Sequence, residues 1–176
     1  MSIETCWDQV QGSDLYQGDY LADCHVPSFS PTFTERGIEA AEVVPVAVRD
    51  LVILSQTCDL ANGKLTFVAL CGATSIDKWQ NDQPKAQAKS FWIEVLKNRR
   101  EGLYLLGSCS DPNDTKRAVI VDLREIYSLP LRYVEKHAFD LGLRCRLRSP
   151  FREGLSQAFG RFYMRVALPE FIPLPQ

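Results

Sequence analysis

Apolar residues recur at two different periods along this chain, and the two periods separate strands from helices. Val43-Val44-Pro45-Val46-Ala47-Val48 and Leu51-Val52-Ile53-Leu54 are short, continuous and rich in β-branched residues. Such runs predict buried strands. Asn62-Gly63 stands before Leu65-Thr66-Phe67-Val68-Ala69-Leu70. Two residues that tolerate positive φ between β-rich runs predict a hairpin. Tyr16-Gln17-Gly18-Asp19-Tyr20-Leu21 predicts a turn that opens a strand. Leu103–Leu106 and Ala118–Val121 predict two more, joined by a link that turns at Asp111-Pro112-Asn113-Asp114. Residues 27–37, with Pro27, Pro31 and Gly37, predict a loop. Residues 1–15 and 124–143 follow no single period.

Two segments follow the helical period. In residues 85–100, Ala88, Trp92, Val95 and Leu96 share a face, with Lys89, Lys97, Arg99 and Arg100 around it and Pro84 at the first turn. In residues 149–166, Phe151, Leu155, Phe159, Phe162 and Val166 form a stripe, opposite Gln157, Arg161 and Arg165. Ser149 is placed to cap this helix, Pro150 fits its first position, Glu153 its first turn, and Pro169 stops it. Burying the stripe would stabilise by roughly 1.5–3 kcal/mol per side chain, so the helix must pack on something.

The chain has 176 residues, 45% of them hydrophobic, which predicts a single domain with a sizeable core. Its net charge of −2 is unevenly spread. Residues 1–50 hold nine acids and two bases, and residues 144–176 hold six arginines and two glutamates. The simplest expectation is that the acidic head and the basic tail meet inside the fold. The start, Met1-Ser2-Ile3-Glu4-Thr5, is unlike a signal peptide, and no apolar run has the ~20 residues of a membrane helix. A cytoplasmic protein is expected, its six cysteines reduced. None of them forms a CxxC pair.

Several residue groups are chemical candidates. Ser55-Gln56-Thr57-Cys58-Asp59 places polar and reactive side chains directly after a buried strand. Cys58 is a candidate nucleophile for a hydrolase, with His25 or His137 as its base. In the structural alternative Asp59 shapes the turn and Cys58 packs as a small hydrophobe. Cys24, His25, Cys58, Asp59 and Cys71 would form a zinc site if their strands were neighbours, but the irregular spacing points away from metal. No cofactor is expected. Arg144, Arg146, Arg148 and Arg152 would form a positive ridge for nucleic acid if the first three lie on a strand. Trp7, Trp79 and Trp92 are either stacking platforms for bases or core residues.

Residues 16–75 also resemble the PemK/MazF-like toxin barrels. Gly18-Asp19 stands where that family's first strand opens. Arg49-Asp50-Leu51-Val52-Ile53-Leu54-Ser55 matches its Arg before a buried strand that ends in Ser. Leu70-Cys71-Gly72-Ala73-Thr74-Ser75 takes the place of its Pro-Ile-Thr-Ser tetrad, with Gly72 for Pro. The resemblance implies an α+β fold. It would be a partly open SH3-like β-barrel of five to seven strands, carrying the C-terminal helix and one further helix. It implies a prokaryotic toxin-antitoxin or phage-defence setting and RNA cleavage without metal. Arg49 would stabilise the phosphate transition state and Thr74 would help to position it, with Ser55, Cys58 and Asp59 lining the site. Asp50, directly after Arg49, favours an alternative without catalysis. In it an accessory subunit docks on a larger effector through the C-terminal helix or the acidic N-terminal region.

Overall fold

A computed structural model describes residues 5–29, 44–82, 89–97, 99–110 and 115–164. Seven strands form one antiparallel sheet: β1 (Trp7–Val10), β2 (Asp19–Pro27), β3 (Val46–Ile53), β4 (Phe67–Ser75), β5 (Leu103–Ser108), β6 (Ala118–Pro130) and β7 (Arg144–Leu147). Their order is β1-β7-β2-β3-β4-β6-β5. The helices are α1 (Thr57–Ala61), α2 (Ile76–Asp82), α3 (Lys89–Leu96), α4 (Leu131–Leu141) and α5 (Phe151–Tyr163), with a 3-10 turn at Thr115–Arg117. The chain is therefore mixed α+β.

The expected strands form, with longer bounds. The two runs at 43–54 merge into β3, and β3 and β4 pair as an antiparallel unit around α1 and Asn62-Gly63. The backbone turns at Gly63 with φ +62°. The unassigned stretch 124–143 divides between the end of β6 and α4. Pro130 ends the strand, and Val134 and Ala138, four apart, give α4 a buried edge. The helix expected over 85–100 is described over Lys89–Leu96. Pro84, Ala88, residues 30–37 of the loop, the turn at 111–114, and Arg165, Val166 and Pro169 lie outside the described residues. At α5 one expectation is corrected. Pro150 takes the N-cap position and no side chain caps the helix.

Alternation along the strands gives the sheet two faces. One carries Val52, Cys71, Ala73, Val119, Val121 and Leu147, and α5 covers it through Leu155, Phe159 and Phe162. The other carries Leu21, Cys24, Leu51, Ile53, Val68 and Leu70 beneath α4. Further along that second face, Ile120 and Leu103 pack with Val95 of α3 and Trp79 of α2. The second face is thus covered in two separate patches.

The ladder ends at β1 and β5 and does not close. Side chains join these two edges instead. The Trp7 indole donates to the Gly107 carbonyl at 2.7 Å, and Gln9 Nε2 donates to the Cys109 carbonyl at 3.5 Å. Cys109 is bonded to Cys145 of β7, 36 residues away, with Cα atoms 6.1 Å apart. The expectation of six reduced cysteines is corrected for this pair, because the fold brings together two residues that the chain keeps apart. Among the described residues no helix is long and apolar enough to cross a membrane.

The acidic head and the basic tail do meet. Asp19 is fully buried at the start of β2, opposite Arg146 of β7. Arg144, whose side chain is 2% exposed, donates to Asp19 through Nε at 3.2 Å and to the Gly12 carbonyl at 2.6 Å. Arg146 chelates Asp19 through Nε and Nη2 and lies 3.7 Å above the Tyr16 ring. Arg148 reaches Asp8 at 3.4 Å. Next to Asp19, Gly18 has φ +86°, and a Cβ there would come within 2.8 Å of Leu147.

Removing one member of a buried ion pair leaves its partner charged and unsolvated, at a cost of about 3–5 kcal/mol. Asp19→Ala should therefore destabilise the protein by that order in urea unfolding. Arg148→Ala, at the exposed Asp8 pair, should change it by less than about 1 kcal/mol.

Candidate functional site

The candidate residues divide between two ends of β3. Arg49 and Thr74 come together in one cleft of about 560 Å³. Ser55, Cys58 and Asp59 lie past the other end of β3 and do not line it.

Two irregularities build the cleft. In β2, Ala22 and Asp23 together oppose Asp50, because the register shifts between Leu21 and Cys24. Asp23 takes up a positive φ of 53° there, and its N–H donates to Asp50 Oδ1 at 2.9 Å. In β6, residues 123–125 are extra, since Cys71 opposes Ile126 while Gly72 opposes Asp122. Bulges re-aim side chains, and these two flank one space. Within the second bulge Arg124 binds Asp122 with two nitrogens, at 2.7 and 2.6 Å. Glu125 lies across Gly72, where any Cβ would collide with its carboxylate. Glycine at position 72 leaves that carboxylate its space. The far wall is α2, which contributes Lys78, Trp79, Asn81 and Asp82.

Arg49 is half exposed. Its Nε sits 3.5 Å from Glu125 Oε1, and its Nη1 donates to its neighbour's carbonyl, Val48 O, at 3.0 Å. Asp50 accepts from the Tyr20 hydroxyl at 2.9 Å and lies 4.0 Å from Lys78 Nζ. Tyr127 donates to Glu125. Burial, then this bond and the Glu125 charge, push the Tyr127 hydroxyl up to about 12. The lining holds five carboxylates (Asp23, Asp50, Asp82, Asp122, Glu125) and two cations (Arg49, Lys78). Even with Arg124 added, acid exceeds base by two.

The Ser55–Asp59 string holds the fold together. Ser55 Oγ accepts from the Ala69 N–H at 2.9 Å, which pins the end of β3 to β4. Thr57 Oγ1 accepts from the Gln17 N–H at 3.2 Å, and the Gln17 side chain donates to Leu54 O and Ser156 Oγ. Cys58 is exposed on α1, and its thiol donates to Asp59 Oδ1 at 3.8 Å. The two candidate bases are elsewhere. The backbone N–H of His25 donates to the Tyr133 hydroxyl at 2.7 Å, and the His137 ring lies 2.7 Å from Ala22 O.

The zinc candidates do not converge. Cys24 and Cys71 are buried on opposite faces of the sheet, and Cys58 is on α1. No group of three or more metal-ligating side chains forms among the described residues. The Arg ridge is occupied from within. Arg144 and Arg146 hold Asp19, Arg148 holds Asp8, and Arg152 holds Glu153. Trp7 is core, while Trp79 and Trp92 pack beside Val95.

Sequence reasoning missed Glu125, Asp122 and Lys78. Glu125 falls in the stretch without a clear period and Asp122 just before it, and the bulge brings Glu125 to Arg49 and Asp122 opposite Gly72. No protein-family model matches the chain, and no curated protein matches it.

Thiol accessibility checks this arrangement. Of the four unbridged cysteines, only Cys58 is exposed. A native protein should react with one equivalent of a disulfide-exchange reagent, unfolding without reductant should release four, and reduction six. Burial, then the charges of Asp50 and Asp23, push Cys24 from 9.0 up to about 12. The unfolded chain therefore loses this proton first as pH rises. Stability from the protonated thiol is complete below pH 9 and declines toward pH 12, by up to about 1.4 kcal/mol per unit. The slope of stability against pH over that window should flatten in Cys24→Ala.

Proposed function

We propose that this chain is a non-catalytic binding subunit of a prokaryotic toxin or defence system. It would be built on a PemK/MazF-like, SH3-like barrel, act in the cytoplasm and dock on a larger effector protein. One observation carries this reading: Arg49 stands in a cleft where carboxylates outnumber cations. A guanidinium that serves a phosphate must be free of competing acid. Here Glu125 faces it across 3.5 Å and Asp50 is its neighbour. A phosphate placed about 5 Å from one uncompensated carboxylate is disfavoured by roughly 3 kcal/mol at an effective dielectric of about 20. The seam between β1 and β5 supports the barrel part of the reading, since Trp7 and the Cys109–Cys145 bond draw the two sheet edges together.

Metal-independent RNA cleavage is the second reading. It is favoured by Arg49 and Thr74 lining the same cleft. A hydrolase centred on Cys58 has less support, because the His137 ring is bonded to Ala22 O of β2 and His25 pairs with Val48, whereas Cys58 follows the far end of β3.

Incubation with long single-stranded RNA, with and without EDTA, separates the two readings. Under the binding-subunit reading the RNA stays intact with the wild-type protein and with Arg49→Ala alike. Cleavage that survives EDTA and disappears in Arg49→Ala would overturn it in favour of the nuclease.

A further inference from the structure

The cleft adjoins an edge of β3 that no strand pairs among the described residues. β3 pairs with β2 along Val46–Arg49, through Pro27, Val26, His25 and Cys24. Its other side meets β4 only from Asp50 to Ile53. β4 ends at Ser75 and the chain turns into α2, so beyond that point β3 has no second strand beside it among the described residues, and Val48 O accepts from the Arg49 side chain, at 3.0 Å. Such an edge is a template for another strand, and proteins normally blunt it with charge, proline or a cover. Here Val46 and Val48 are 61% and 49% exposed beside it. The slot runs between this edge and α2, and Gly72–Thr74 of β4 with Asp122 and Glu125 of β6 form its floor.

We propose that this slot binds an extended, basic segment of a partner protein, which adds to the free edge of β3 as a strand. The inference rests on the binding-subunit reading and names the chemistry of what is bound. Main-chain hydrogen bonds to the edge would supply affinity, and alternate side chains would supply specificity. Successive residues of an added strand point to opposite faces. One set would lie beside Val46 and Val48 and should be apolar. The other would face the carboxylates of the cleft and should be Lys or Arg. Charge complementarity selects this occupant, since five carboxylates and two cations line the cleft.

Fluorescence anisotropy of a labelled (Lys-Val)4 peptide with the full chain tests the proposal. Binding is expected, and it should weaken as salt is raised. It should fall at least tenfold for (Glu-Val)4, for the Asp23→Asn/Asp82→Asn double variant, and for (Lys-Val)4 with alternate backbone nitrogens methylated. The methylated peptide keeps its charge but cannot pair as a strand. Equal binding of the methylated peptide would overturn the strand mode. Equal binding of (Glu-Val)4, or no binding of (Lys-Val)4, would overturn the choice of occupant. RNA incubated with the same preparation keeps the two levels apart. Arg49-dependent cleavage removes the binding-subunit reading itself, whereas intact RNA with no peptide binding removes only this inference.

Discussion

The buried group formed by Asp19, Arg144 and Arg146 is the interaction on which the rest of the sheet depends. It joins the start of β2 to β7, across more than 120 residues of chain, and seats β7 between β1 and β2. Desolvating a carboxylate and a guanidinium is costly, and the arrangement is stable only because further bonds satisfy them. Arg144 and Arg146 also donate to the carbonyls of Gly12 and Asp14, so the turn before β2 is held by the same two side chains. Gly18 lets the backbone of that turn pass against Leu147. With β7 in place, Cys145 lies within bonding reach of Cys109, and Trp7 of β1 reaches Gly107 at the opposite edge.

This use of charge changes the meaning of the arginine-rich tail. A run of alternating arginines reads as a phosphate-binding surface when it is viewed alone. In the fold its members face carboxylates from β2, from β1 and from α5. The excess charge of the cleft beside Arg49 is instead negative. Two strand irregularities create that excess. The bulge in β2 brings Asp23 to Asp50, and the bulge in β6 brings Asp122 and Glu125 to Gly72 and Arg49. A cleft of this sign favours a cationic protein segment over a nucleic acid. In the proposed mode, the adjoining edge of β3, which no strand pairs among the described residues, would add backbone pairing.

The strands around residues 46–75 and the stripe of the last helix were legible in the sequence, because each depends on a local period. Val52 and Ile53 alternate between two faces wherever the strand lies, and Leu155 must be covered whatever covers it. Arg49 and Thr74, expected in one site, both line one cleft. Ser55, Cys58 and Asp59, expected there too, do not line it. They follow the strand that carries Arg49, but eight-residue β3 separates its two ends, and Ser55 and Thr57 turn inward to fasten β4 and Gln17.

The sequence by itself determined the elements, the two-faced strands and the need for the acidic head to meet the basic tail. These follow from side-chain period and net charge, which are properties of short segments. Only the tertiary structure decided which acid met which base, which cysteines paired, and what sign the cleft would carry. Those outcomes depend on register. A shift of one residue in β2, or three extra residues in β6, decides which carboxylates face the same space, and neither leaves a mark in local composition.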